Sequence, residues 1–297
     1  MSVLLKIQKD IENTSQATIR DFQLIREKSG VHVYRCIYNS VPAVVKYFDN
    51  KDDGREILNY RILARHNIPT IKALALGDAS VVLEDITVSQ DWRLGIAEDL
   101  ADTCVAECLA HWYFRLHERG TTIPELDTLF FELDSITKEN LHMLMQKIPE
   151  GEELFRHILT RYDKLKEIIY TPPFTLTYND FYWTNLVVRK DKTAAKMFDY
   201  NLLGKGYRHS DFTNVCGSMS SDAATAFTNE YNSLYKEAHG HDRNEAHKVE
   251  AQINDIAAPL YALIVAFTQR ENLPSWAIHE KNKVIDGSLL AKARLLL

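Results

Sequence analysis

The stretch Thr177-Tyr-Asn-Asp-Phe-Tyr-Trp-Thr-Asn185 decides how this chain is interpreted. Asp180 is followed five positions later by Asn185, and a second carboxylate, Asp199, comes after one more strand-like segment. A tight hairpin would bring these oxygens together, and Mg²⁺ binds few protein oxygens because it shares its coordination with waters and phosphate. Asp and Asn also cap turns, and an Asp-x4-Asn match is common by chance. The stretch alone therefore leaves a metal site and an ordinary turn both open.

The chain on the N-terminal side of this stretch predicts a small antiparallel sheet. Residues 3–18 predict an amphipathic helix, and Asp52-Asp53-Gly54 opens a second helix with Ile57, Tyr60, Leu63 and Ala64 on one stripe. Val31 to Tyr38 alternates as a strand does, and Asn39-Ser40 forms a turn before the next strand. The predicted strands are 22–25, 31–38, 41–48, 73–76 and 81–83.

From about residue 90 the pattern becomes helical. Ala97, Ala101, Cys104, Cys108, Trp112 and Leu116 recur every three to four residues, which predicts one long helix that buries them. Further helices are predicted over 136–147, 151–169, 222–238, 245–270 and 275–294, and short strands interrupt them between 174 and 203. The sequence therefore predicts an α+β fold, with a small sheet first and a larger helical part after it.

The composition narrows the class of protein. The chain has 297 residues, 45% of them hydrophobic and 26% charged, which excludes disorder as the main state. Its net charge of −6 argues against nonspecific nucleic-acid binding. The four cysteines form no CxxC pair, so a reduced, cytoplasmic location is expected. The most apolar run, residues 256–267, is shorter than the roughly 20 residues of a membrane span, and no membrane contact is expected.

Two charged residues and one turn upstream could serve a phosphate ligand. Lys46 ends the run Ala43-Val-Val-Lys, and Glu56 follows ten residues later on a predicted helix, where it could orient the ammonium group toward phosphate. An exposed strand lysine is the alternative. Gly30, after Ser29, lies in a predicted turn that could expose backbone N–H groups, although any hairpin turn can use a glycine.

In this order, the features resemble the aminoglycoside phosphotransferase and choline kinase family, distant relatives of the protein kinases. The resemblance extends from about residue 22 to 215. It rests on Val44-Val-Lys46, Arg55-Glu56, Leu83-Glu-Asp-Ile86, the helix ending Leu116-His117, Asp180-x4-Asn185, Phe198-Asp199 and Asp211.

The resemblance implies a two-lobed, protein-kinase-like fold. Residues 1–86 would form the N-terminal nucleotide-binding lobe with the hinge, and residues 87–297 the helical lobe. ATP, or another nucleoside triphosphate, would bind in the cleft between them. The resemblance implies that Asp180 is catalytic and that Asn185 and Asp199 hold Mg²⁺. Lys46 and Glu56 would serve the phosphates, beside Ser29 and Gly30. The Glu84 carbonyl and the Ile86 N–H would contact adenine, and Tyr178 and Asp211 would brace the loop.

Two departures from the family bear on function. Tyr178 stands where the family usually has His, which motivates the alternative of a nucleotide-binding scaffold without turnover. No Asp-Phe-Gly or Ala-Pro-Glu segment follows, so a protein-kinase activation segment is absent and a small-molecule acceptor is favoured over a protein side chain.

The expected activity is transfer of the γ-phosphate of ATP to a hydroxyl of an aminoglycoside-, choline- or sugar-like molecule, by a monomer or weak dimer. The charge is uneven: residues 1–86 carry 12 basic and 11 acidic side chains, and the remainder carries 23 and 30. The acceptor pocket could therefore be formed by Trp183, Asp222 and Glu230, with Asp255 as a further acid, and would favour a cationic acceptor. Solvated helix faces are the alternative for these acids.

Overall fold

The computed structural model describes residues 2–50 and 54–297, without the side chains of 244–246. The chain forms two compact units. The first comprises Met1–Arg119, Tyr178–Leu203 and Asn214–Gly240, and the second comprises Gly120–Thr177, Gly204–Thr213 and His241–Leu297. These units are defined by compactness, whereas the boundary at residue 86 separates lobes by their implied roles. That boundary therefore stays a prediction.

The elements are numbered along the chain. The strands are β1 Ile19–Lys28, β2 Val31–Tyr38, β3 Val41–Phe48, β4 Ala73–Leu76, β5 Ser80–Glu84, β6 Trp92–Leu94, β7 Thr175–Thr177, β8 Leu186–Arg189, β9 Ala195–Met197 and β10 Gly204–Gly206. The helices are α1 Val3–Ser15, α2 Arg55–Arg65, α3 Thr103–Gly120, α4 Lys138–Lys147, α5 Glu152–Thr160, α6 Tyr162–Ile169, α7 Arg208–Ser218, α8 Ser221–His239, α9 Asn244–Gln269, α10 Ser275–Ile285 and α11 Ser288–Leu296.

The first unit contains the predicted meander. Its five strands lie in the order β1-β2-β3-β5-β4, and all neighbours are antiparallel. The loops Ser29-Gly30 and Asn39-Ser40 both have positive φ at each residue, as in the tight turns whose twist matches antiparallel strands. Ile7 and Ile11 of α1 pack in one apolar cluster with residues of this sheet.

Helix α2 differs from the predicted stripe. It begins at Arg55, and the predicted start at Asp52 and Asp53 lies outside the described residues. Ala64 is exposed, whereas two polar side chains, Glu56 and Asn59, are buried. A buried polar side chain needs a hydrogen-bond partner. Glu56 and Asn59 therefore indicate that this face of α2 makes polar contacts as well as apolar packing.

Helix α3 also begins later than predicted. Residues 97–101 form a separate 3-10 turn, because Asp99 accepts the Ile96 N–H at 2.9 Å, and Asp102 then caps the new helix by accepting the N–H of Cys104. The first part of the predicted stripe therefore differs, since Cys104 is exposed while Val105 and Leu109 are buried. Trp112 and Leu116, in its second part, are buried as predicted.

Beside α3, the first unit has the three-stranded sheet β6-β8-β9, in which both pairs are antiparallel. The hairpin of β8 and β9 is the one predicted around the metal-site stretch.

The second unit is mainly helical, with only the two-stranded pair β10-β7. Its core surrounds α9 and includes Ile256 and Leu260. The predicted helices 151–169 and 275–294 are each divided in two, the second at Gly287, whose φ of 78° is the left-handed conformation that glycine adopts readily.

Helix α9 holds the one segment of the described chain, His247–Gln269, that is long and apolar enough to cross a membrane by length and composition. The apolar run 256–267 is shorter than a membrane-spanning helix, but its length alone is therefore not sufficient to exclude one. However, 44% of this window is buried inside the protein, and core helices pass the same test, so the indication is weak.

Candidate active site

Lys46 lies between two carboxylates of the first unit. Its Nζ is 2.5 Å from a Glu56 carboxylate oxygen and 2.7 Å from Asp199 Oδ1. The lysine side chain is 13% exposed, against 1% for Glu56 and 31% for Asp199. Lys46 is thus not the exposed strand lysine of the alternative interpretation, and the structure brings three of the predicted site residues into direct contact.

The charges in this group shift one another's pKa values. Burial raises the pKa of Glu56, and the Lys46 charge opposes that rise. Burial lowers the pKa of Lys46, but the charges of Glu56 and Asp199 outweigh it, so the net pKa lies above the usual lysine range. The ammonium group of Lys46 therefore stays positively charged, as it must be in order to bind phosphate.

Asp180 and Asn185 form the second part of the site. Asn185 Nδ2 donates to Asp180 Oδ2 and to the Asp180 carbonyl oxygen, both at 3.2 Å. This geometry leaves the Asn185 side-chain oxygen as the acceptor. Burial, followed by the nearby Asp199 charge, raises the pKa of Asp180.

The β8–β9 hairpin joins these two parts. Leu186 pairs with Met197, and the Phe198 N–H donates to the Asn185 carbonyl at 3.0 Å. Asp199 therefore follows directly after a residue that is hydrogen-bonded to Asn185. Its φ of 63° is left-handed, a conformation that Asp and Asn adopt more readily than most residues.

Tyr178 is completely buried beside this hairpin. Its hydroxyl donates to the Phe198 carbonyl at 2.5 Å, and its ring packs edge-on against Trp112 and Tyr200. Tyr178 thus holds the backbone immediately before Asp199.

Asn59 is a support residue that the sequence analysis missed. It is buried on α2, and its Nδ2 donates to the Tyr200 carbonyl at 2.6 Å, while the Tyr200 N–H donates to Glu56 at 3.4 Å. Helix α2 therefore holds the chain on the far side of Asp199 as well. The signal in the sequence was a polar residue three positions after Glu56 within an apolar helix face.

The residues predicted to contact the nucleotide lie on the same sheet. Ser29 and Gly30 form the β1–β2 turn, whose Gly30 carbonyl accepts the Asp49 N–H at 2.9 Å. Glu84 ends β5, and its carboxylate accepts the Lys72 N–H at 2.7 Å. Ile86 is buried at the start of the following 3-10 turn.

The candidate acceptor residues are less closely gathered. Asp222 and Glu230 on α8 line one cavity of about 590 Å³ together with Glu107, and Glu230 pairs with His111 at 2.8 Å. Trp183 is 38% exposed and follows Asp180 in the loop. In the second unit, Asp211 is buried at the start of α7, and Asp255 pairs with Lys292 at 3.0 Å.

A run of contacts places Asp222 near the loop. The Ser220 N–H donates to the Leu100 carbonyl at 2.9 Å, and the 97–101 turn packs against the 183–185 turn. The start of α8, which contains Asp222, is thus connected through the 97–101 turn to the segment that carries Asn185.

The donor set suits Mg²⁺ better than a softer metal. Among the described residues, no three His, Cys, Asp or Glu side chains form a metal-binding group. The Asp199 carboxylate and the Asn185 amide oxygen are a smaller, all-oxygen set, and Mg²⁺ is commonly held by one or two carboxylates with waters and phosphate. Burial and, second to it, the charge of Asp199 raise the pKa of Asp180, and a bound cation would relieve the repulsion between these two carboxylates.

Known structures share this fold. Choline kinase LicA from Streptococcus pneumoniae superposes with a TM-score of 0.62 at 14% identity, covering 98% of this chain and 100% of that one. The complex of streptomycin, ATP and APH(2″)-IIa gives 0.61 at 15% identity over 96% and 99% of the two chains. Plasmodium vivax ethanolamine kinase gives 0.59 at 14% identity over 94% and 84%.

No protein-family model matches the chain, and no curated protein matches it in sequence. The α+β fold implied by the resemblance is therefore confirmed by structural likeness to these small-molecule kinases and phosphotransferases, while the reaction is argued from the site itself.

Proposed function

We propose that this protein is a phosphotransferase that moves the γ-phosphate of ATP to a hydroxyl of a small molecule. The observation that carries the proposal is the contact of Lys46 with both Glu56 and Asp199, next to the Asp180–Asn185 pair. Phosphoryl transfer requires mainly positioned charges around the phosphates, and this group supplies one cation and several oxygen ligands. The kinase fold supports the same interpretation.

The residues divide into three tasks. Lys46, oriented by Glu56, binds the inner phosphates of ATP. Asn185 and Asp199 would hold Mg²⁺, which when bound neutralises the charge of the phosphate oxygens. Asp180 accepts the acceptor hydroxyl in a hydrogen bond and takes its proton, a task favoured by a pKa that burial raises above the ordinary aspartate value.

Residues nearer the adenine and the loop complete this assignment. The Ser29-Gly30 turn, the Glu84 carbonyl and the Ile86 N–H are proposed to contact the nucleotide. We also propose a cytoplasmic location, in keeping with its four free cysteines.

Tyr178 does not favour a scaffold without turnover. Its hydroxyl already donates to the Phe198 carbonyl, so the chain before Asp199 is braced without a histidine.

The acceptor is proposed to be a hydroxylated amine, because Glu107, Asp222 and Glu230 line one cavity on the α3 and α8 side of the unit.

The test is ADP formation from Mg-ATP across a panel of choline-like alcohols, amino sugars and neutral sugars. The wild type should form ADP and a phosphate ester in equal amounts with at least one acceptor. Asp180→Asn, which preserves size and the hydrogen-bond partner, should reduce turnover by about 10²-fold or more. Equal turnover by the wild type and Asp180→Asn would refute the assignment, and ATP binding without any ester would favour the scaffold.

A further inference from the structure

A second cavity of about 590 Å³ lies in the first unit between α3, β9 and the loop that precedes β4. None of its described lining residues belongs to the proposed nucleotide, metal or acceptor set. Its volume is in the range of small-molecule sites, roughly 300–1,000 Å³. The proposed reaction leaves this cavity unused.

The lining is basic in an acidic protein. Lys196, Arg115 and His111 face the cavity, and no Asp or Glu is among its described lining residues. The whole chain has a net charge of −6 with His counted as neutral, so Lys196 and Arg115 without a lining acid are a local reversal of charge. His111 contacts Glu230 at 2.8 Å.

Lys196 is the buried anchor of this group. Its side chain is 10% exposed, and Nζ is 3.2 Å from the Thr70 carbonyl, 3.7 Å from Glu84 and 4.1 Å from the Trp92 ring centroid. An ammonium group has three N–H donors, and the Glu84 distance is beyond a hydrogen bond. Burial lowers the pKa of Lys196, and the ion pair with Glu84 offsets this only in part.

The rest of the wall is largely aromatic. Trp92, Trp112 and Phe114 line the cavity, and the Trp112 indole N–H is already used by the Pro69 carbonyl at 2.6 Å. These rings therefore offer apolar surface, whereas Lys196 and Arg115 offer charge. A few polar groups set in an apolar wall are typical of a small-molecule site.

We propose that this cavity binds a small organic anion, an aromatic body carrying one carboxylate or phosphate, with the anionic group against Lys196. Arg115, exposed on α3, adds attraction at the entrance, and the aromatic residues hold the body. The lining residues differ from the proposed phosphotransfer residues, although Lys196 contacts Glu84 and His111 contacts Glu230. Binding at this cavity can therefore be tested without turnover.

The probes are phenyl phosphate, phenylacetate and the neutral alcohol 2-phenylethanol, titrated into the full protein by calorimetry. At least one anion should bind about tenfold or more tightly than the alcohol, since only the anion can pair with Lys196. The preferred anion distinguishes phosphate from carboxylate recognition. Absence of anion binding up to about 10 mM, or equal binding of the alcohol, would overturn the proposal.

Variants and tryptophan resonances locate the site. Lys196→Met should weaken binding about tenfold or more and Arg115→Gln about threefold or more, whereas Arg26→Gln, an exposed control on β1, should leave it unchanged. Arg115→Gln is on an exposed helix face and keeps the test valid if Lys196→Met fails to fold. With ¹⁵N-tryptophan labelling, the Trp92 indole signal should shift on probe addition. A shift confined to Trp183, in the Asp180 loop, or unchanged binding in both variants, would contradict the assignment.

Discussion

The ion pair of Lys46 and Glu56 gives a prediction about stability as well as activity. Replacing Lys46 by Met removes the cation from beside Glu56, whose side chain is 1% exposed. Breaking a buried pair from one side costs about 3–5 kcal/mol, because the remaining charge stays buried without compensation. Asp199 is 31% exposed and recovers water more easily, so it adds little to this cost.

The reverse change should cost less. In Glu56→Gln, Lys46 keeps Asp199 at 2.7 Å as a partner, and the expected loss is about 1–3 kcal/mol. The double variant Lys46→Met with Glu56→Gln buries no charge at residue 56. Its loss should therefore be smaller than the sum of the two single losses by about 1–3 kcal/mol.

The assay is urea unfolding of the wild type and the three variants, with Lys28→Met, an exposed lysine at the end of β1, as the control. The control should change the free energy of unfolding by no more than about 0.5 kcal/mol. Single losses that add within about 0.5 kcal/mol would show that Lys46 and Glu56 are uncoupled and would refute this reasoning.

Three further predictions follow from other contacts. Tyr178→Phe removes the hydroxyl that donates to the Phe198 carbonyl, and it should lower the free energy of unfolding by about 1–3 kcal/mol and also reduce turnover. Tyr182 is 62% exposed, so the control Tyr182→Phe should change neither quantity. Burial lowers the pKa of His247 to about 4, so below its ordinary value of 6.5 the unfolded state binds more protons, and stability should fall as the pH decreases from 6.5 to about 4. His247→Gln should make this decrease in the free energy of unfolding smaller when unfolding is measured at several pH values. The neighbouring His209, Arg243 and Glu250 also titrate or remain charged in this pH range. Glu230→Gln should raise KM for cationic acceptors in steady-state kinetics and leave KM for neutral ones unchanged, and an equal change for both would exclude a charge role in acceptor binding.

The five-stranded sheet and the β8–β9 hairpin were predictable because both depend on local sequence pattern. Alternation over 31–38 and the turn at Asn39-Ser40 specify neighbouring antiparallel strands. The spacing of Asp180, Asn185 and Asp199 likewise lies within one hairpin, so the loop and strand lengths alone bring them together.

Long-range contacts account for what the sequence did not show. The sequence shows Asn59 as a polar residue within an apolar helix face, but its partner, the Tyr200 carbonyl, lies 141 residues away, so no local pattern identifies the group that it contacts. The start of α3 was misplaced because Asp99 and Asp102 satisfy backbone N–H groups in a way that overrides the apolar periodicity. The basic cavity around Lys196 joins four separate segments, which only the fold brings together.

The central claim is that Lys46, Asn185 and Asp199 form a site for magnesium nucleotide, and calorimetric titration with ATP tests it most directly. In the wild type, Mg²⁺ should tighten ATP binding, whereas in Asp199→Ala the metal should have no effect and Mg-dependent turnover should be lost, with binding of adenosine retained. ATP binding that is absent up to about 10 mM, or that responds to Mg²⁺ equally in the wild type and Asp199→Ala, would contradict the account.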